Sequence, residues 1–212
     1  MHKIIPLILI FVFAACSMPR YIPCVNEFGT AANDTRLMPI NNGNKWVYKE
    51  MTYDNKGNPE DSSIRTIEIG PLDTIMYQGP EDKHPLEAYP IVVNKMRSKQ
   101  FFYVKCAEGA VYSSTYNPDS DVLYTGYTIP DDISPGWKDP RDPDAEWEGP
   151  VEINVPAGTF ECWHRDNEAR GGNVRREYYA MNIGLVKVEI YYKNRFLRAE
   201  MELDSYELAG KI

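Results

Sequence analysis

Gly184-Leu185-Val186-Lys187-Val188-Glu189-Ile190-Tyr191-Tyr192-Lys193-Asn194-Arg195-Phe196-Leu197-Arg198-Ala199-Glu200-Met201-Glu202-Leu203-Asp204 decides the fold class. Val186, Val188, Ile190 and Tyr192 fall on one side of an extended chain, with Lys187 and Glu189 on the other. After Lys193-Asn194-Arg195, Leu197, Ala199, Met201 and Leu203 alternate in the same way with Arg198, Glu200, Glu202 and Asp204. A period of two puts successive side chains on opposite faces of a strand, so these runs are two paired strands joined by a hairpin loop.

Working outward, similar runs recur at roughly ten-residue spacing. They lie near 45–53, 62–70, 73–78, 88–96, 99–106, 110–116, 121–128, 151–155, 159–166, 174–180, 184–193 and 196–208. Turn chemistry separates them, as at Asn41-Asn42-Gly43-Asn44 and Asn55-Lys56-Gly57-Asn58. No stretch of a dozen residues holds a 3.6-residue period, so helices should be few and short. The pattern predicts a mainly β fold in a single domain over residues 37–212, a curved antiparallel sheet of half-barrel or sandwich-like form.

Residues 128–150 break the rhythm. Five prolines fall there, which argues against a regular interior strand and predicts a long loop. Trp137 and Trp147 in this loop are candidate ligand-binding residues, as exposed indoles that stack on sugars or lipid headgroups, although loop tryptophans more often pin a loop to a sheet. Asp139, Asp142, Asp144 and Glu146 are closely spaced oxygen donors and a candidate Ca²⁺ site, against the plainer reading of a solvated acidic loop.

The N-terminus sets the address. Met1-His2-Lys3, the apolar run Ile4 to Phe13 and Ala14-Ala15 before Cys16 look like a bacterial lipoprotein signal, with Phe13 where Leu is usual. Residues 1–15 would be removed and Cys16 acylated, which anchors the protein to a membrane through lipid. Residues 16–36 are small, polar and aperiodic, as a tether should be. Ser17 after the cysteine favours the outer membrane by resemblance to known sorting rules, and the lack of an acidic cluster directly after it favours a face toward the periplasm.

The chain has 23 basic and 31 acidic side chains, a net charge of -8, or -9 once Lys3 has left with the signal. That balance excludes nucleic acid as a partner and leaves membrane attachment to the acyl chains. Beside Cys16 there remain Cys24, Cys106 and Cys162, an odd number, read as buried thiols before a disulfide. No Cys-x-x-Cys occurs, and His84 and His164 have no ligand-spaced partner, so no zinc site and no cofactor is expected. No Gly-x-Ser-x-Gly elbow is present, and His164 shares a strand face with Phe160 and Cys162 as a structural histidine would. The expectation is a protein without enzymatic activity.

Three patches carry a resemblance. Met38-Pro39-Ile40-Asn41-Asn42-Gly43-Asn44-Lys45-Trp46-Val47-Tyr48, Val155-Pro156-Ala157-Gly158-Thr159-Phe160-Glu161-Cys162 and Tyr178-Tyr179-Ala180-Met181-Asn182-Ile183-Gly184-Leu185-Val186-Lys187 resemble a group of uncharacterised Gram-negative envelope lipoproteins. The resemblance implies a curved antiparallel sheet of the kind seen in periplasmic lipoprotein carriers, and carries over no catalytic residue. Physically the patches read as fold signatures: a Pro-Ala-Gly turn, two large core aromatics on one strand face, and a glycine opening a strand.

Two functions follow as expectations. One is a lipid-anchored binding or carrier module for a hydrophobic or glycan ligand. The alternative is an interaction protein that docks an envelope component through an outer sheet face including Arg198, Glu200 and Glu202.

Overall fold

The computed structural model describes residues 37–209, apart from 79–82, 107–108, 116–121, 131–132, 134–136, 140–141, 170–171 and 194–195. The expected signal and tether, with Cys16 and Cys24, lie outside the described residues. Among the described residues every regular element is a strand: β1 (Lys45–Tyr53), β2 (Pro59–Ile69), β3 (Asp73–Gln78), β4 (Lys83–Val93), β5 (Met96–Cys106), β6 (Gly109–Thr115), β7 (Val122–Pro130), β8 (Lys138–Asp139), β9 (Asp142–Val155), β10 (Gly158–Ala169), β11 (Asn173–Ala180), β12 (Gly184–Tyr192) and β13 (Phe196–Glu207).

They form one sheet in the order β3-β7-β6-β5-β4-β2-β1-β13-β12-β11-β10-β9-β8, antiparallel except where β3 meets β7. The C-terminal hairpin pairs as its alternation requires, with Val188 opposite Met201 and Ile190 opposite Ala199. β4 divides its length between two partners. Lys83–Ala88 pair with β3, and Ile91–Val93 pair with β2. Because β3 also reaches β7, the strands β3 to β7 close on themselves at one end of the sheet.

The sheet is strongly curled, and a single bond measures it. The Ala157 N–H, in the turn after β9, donates to the Leu203 carbonyl of β13 at 3.0 Å. Four strand steps separate β9 from β13 in the sheet order, which in a flat sheet is about 19 Å. Only a sheet rolled toward a half-barrel brings those groups together.

One end of the roll is closed by the residues of the three sequence patches. Trp46 and Tyr48, 0% and 1% exposed, project from β1 over the start of β12. The Trp46 Nε1–H donates to the Ile183 carbonyl at 2.6 Å, and the Tyr48 hydroxyl to the Leu185 carbonyl at 2.9 Å. Gly184 lies between these acceptors at φ +97°, and a Cβ there would sit 3.0 Å from Met38 Sδ and 3.4 Å from Trp46 Cζ2. Both the dihedral and the space call for glycine. Leu37, Met38 and Ile40 pack into the same buried cluster.

Asn44 ties this end to both flanks of the domain. Fully buried, it donates from Nδ2 to the Pro39 carbonyl at 2.7 Å and accepts the Ala209 N–H on Oδ1 at 2.7 Å. Its own carbonyl takes the Ile69 N–H at 2.8 Å.

The expectation of a loop over 128–150 is corrected. Residues 142–155 are strand β9, and β8 adds a short pair beside it. Prolines fit because β9 is bordered by β10 on one side and on the other only by the two-residue β8. Its register also skips between Val151 opposite Cys162 and Glu148 opposite His164, so Gly149 and Pro150 form a bulge. A missing N–H costs no ladder bond at a bulge or an open edge.

Asn44→Ala should cost about 1–3 kcal/mol in urea unfolding, since it removes two hydrogen bonds made by a fully buried side chain, to the Pro39 carbonyl and from the Ala209 N–H. Asn44→Asp, which keeps only the acceptor, should be no better. An unchanged midpoint for Asn44→Ala would show that the two flanks hold without it.

Candidate functional site

The curl leaves a cleft of about 790 Å³ on the inner face of the sheet. Its floor is apolar because the inward positions of several strands are apolar. β2, β4 and β5 supply Ile67, Ile91, Val93, Phe101 and Tyr103. Across from them, β11, β12 and β13 supply Tyr179, Leu185, Val188, Ile190, Ala199 and Met201. A cavity of this size with convergent apolar walls is within the usual range for small-molecule sites.

Toward the far ends of β1, β2, β10 and β11 the lining turns polar and exposure rises, so this is the mouth. On one side stand Glu50, Thr52, Asp61, Ser62, Ser63 and Arg65. Register places Glu50 beside Ser63 and Thr52 beside Asp61. Arg65 Nε lies 2.9 Å from Glu50 Oε1, and the Ser63 hydroxyl donates to Glu50 Oε2 at 3.0 Å.

On the other side are Asn167, Arg175 and Glu177. The Glu177 carboxylate is 2% exposed; it accepts from Arg175 Nε at 2.8 Å and from Asn167 Nδ2 at 3.2 Å. Arg165, paired with Glu177 across β10 and β11 and 1% exposed, backs this cluster and bonds Asn167. These inward polar residues were not singled out from sequence. The signal was present in Arg165/Asn167 and Arg175/Glu177 at alternate positions of two strands, but it has meaning only once the register sets them opposite one another.

The residues singled out from sequence go elsewhere. Trp147 is fully buried on β9, edge-on to Tyr179 at 5.5 Å between ring centroids, with the Arg165 guanidinium 5.9 Å from its ring. It is a core residue and not an exposed indole. Trp137 is partly buried against the same cluster, and its backbone carbonyl accepts the backbone N–H of Trp147 at 3.0 Å. Of the acidic set, Asp139 and Asp142 face each other in the β8–β9 register and Glu146 is exposed. The side chains of Asp139, Asp142 and Asp144 lie outside the described residues, and among the described residues no group of three potential ligands gathers.

Cys162 is a free, buried thiol, and burial, aided by Glu161, pushes its pKa up to about 12. Such a thiol stays protonated and unreactive. The side chain of Cys106 lies outside the described residues. His164 stacks obliquely on Tyr178 at 5.3 Å and lies 3.8 Å from Glu148. Burial, followed by the charge of Arg176, lowers its pKa against the opposing pull of Glu148, Asp166 and Glu189.

The outer face carries its own network. Lys187 lies 3.2, 3.2 and 3.0 Å from Glu189, Glu200 and Glu202, while Tyr178 and Tyr191 donate to Glu189 and Tyr53 donates to Glu200. Burial alone would lower the Lys187 pKa, but the Glu202 hydrogen bond and the neighbouring carboxylates more than reverse it. Arg198 bonds Asn55 at 2.6 Å. Thus Arg198, Glu200 and Glu202 are engaged within the chain.

Residues 144–203, which run from β9 through most of β13, match the DUF3108-like family. No curated protein matches the chain. Among solved structures, a candidate exported protein with a YmcC-like fold from Bacteroides fragilis is 15% identical, with a TM-score of 0.44, 82% of this chain and 99% of that one being covered. A candidate lipoprotein from Parabacteroides distasonis is 18% identical, with a TM-score of 0.47 and 83% and 100% covered.

Proposed function

We propose that this chain is a lipid-anchored envelope protein, held through acylated Cys16, whose inner cleft binds an apolar or amphiphilic molecule without transforming it. The observation that carries the reading is the cleft: about 790 Å³ of space over an apolar floor, closed by the Trp46–Tyr48 end and polar only at its mouth. A sheet with a solidly packed inner face would not keep that space, since empty apolar volume costs the dispersion contacts of its lining. Filling it with an acyl chain or other apolar body restores those contacts and removes the ligand from water. The anchor supports the same reading, because a tethered binder meets membrane-derived cargo at high effective concentration and needs little intrinsic affinity.

Ala199, on the cleft wall opposite Thr52 and Ile190, is the place to test it. Ala199→Trp should lower uptake of a neutral naphthylamine dye by about tenfold while thermal melting stays near that of the parent chain. Full dye binding with the cleft filled would sink the proposal. Trp147→Ala should act differently, costing about 3–5 kcal/mol of stability by opening a hole in the core. A parent-like urea midpoint for that variant would contradict its placement there.

A further inference from the structure

The mouth of the cleft is built from ion pairs of both signs, and, on the reading that the cleft holds an apolar chain, this fixes the chemistry of the head that stays outside. Across the mouth stand Glu50 with Arg65 and Glu177 with Arg175, at 2.9 and 2.8 Å. Around them Thr52, Ser62, Ser63 and Asn167 add hydroxyl and amide groups.

A head with one net charge fits such a rim poorly. A carboxylate drawn to Arg65 must share it with Glu50, and an ammonium drawn to Glu50 must share it with Arg65. Either way one partner of a formed pair is left short of its counter-charge in a half-buried place. On the opposite side the problem is sharper, because Glu177 is 2% exposed and depends on protein groups for its neutralisation. A polyol avoids this. Each hydroxyl can accept from a guanidinium N–H and donate to a carboxylate oxygen without disturbing the charge of either, and charge-assisted hydrogen bonds of this kind are the stronger ones.

We infer that the cleft selects amphiphiles with an uncharged, polyhydroxylated, sugar-like head over molecules with the same apolar chain that end in a lone charge. Specificity here comes from the penalty on the charged competitor as much as from contacts with the favoured one.

The test uses the full chain loaded with the naphthylamine dye. Four probes with the same lauryl chain displace it, each below its micelle threshold: lauryl maltoside, laurate, lauryltrimethylammonium and lauryl phosphocholine. The maltoside should displace dye at roughly tenfold lower concentration than laurate or the ammonium, and ahead of the phosphocholine. Glu50→Gln, which leaves Arg65 without its carboxylate, should improve laurate relative to maltoside by roughly fivefold, and Arg65→Gln should do the same for the ammonium. Melting curves of both variants establish that each is folded. Equal displacement by all four probes, a charged or zwitterionic head in front, or an order that neither variant shifts would overturn the inference and leave the cleft reading standing. Failure of every probe to displace dye would overturn both.

Discussion

Two hydrogen bonds from one strand hold the shape of this molecule. Trp46 and Tyr48 reach across β13 to the carbonyls of Ile183 and Leu185, at the point where the chain turns from β11 into β12. A hairpin sheet alone has a twist but no fixed degree of curl. Tying β1 to the start of β12 from the inner side shortens that side of the sheet and rolls it. The Ala157 bond to Leu203 then fastens the rolled part from the opposite edge. Glycine at 184 is a condition of this arrangement, because Met38 and Trp46 occupy the space that a side chain there would need.

Closing one end of a roll determines what the other end can be. Near Trp46 the inward positions are filled by Leu37, Met38, Ile40, Leu203 and the two aromatics, so no room remains. Farther along the same strands the inward residues become smaller or polar: Glu50 and Thr52 on β1, Ala199 on β13, Arg175 on β11. The roll is therefore a dead-end cleft with an apolar floor and a charged rim. The taper follows from side-chain size along strands whose register is already set at the closed end.

That history explains what could be read from the sequence. The C-terminal hairpin was legible because its apolar and charged residues alternate without interruption for two full strands, and both neighbours of each strand are antiparallel. β9 was not, because Pro143 and Pro150 are breakers in a central strand but acceptable beside a two-residue neighbour and a bulge. Strand order, which a local pattern does not carry, was the missing fact. Trp147 was placed on a loop for the same reason; of the two roles weighed for it, packing against the sheet is the one its burial in β9 agrees with. The rim was hidden more deeply, since Glu50 and Arg65 lie fifteen positions apart and become a pair only through the β1–β2 register.

The same strands also show why the inner and outer faces serve different ends. On β12 and β13 the outward positions gather Lys187, Glu189, Glu200 and Glu202 into one network with Tyr53, Tyr178 and Tyr191. One cation is shared among three carboxylates, and three phenols donate to two of them, so this polar surface is held together by its own groups across four strands, β1, β11, β12 and β13. The inward positions of β12 and β13, Val188, Ile190, Ala199 and Met201, present only apolar surface to the cleft. A period of two lets one hairpin do both. The outer register is fixed by charge and hydrogen bonding, which leaves the inner face free to keep space that close packing would otherwise fill.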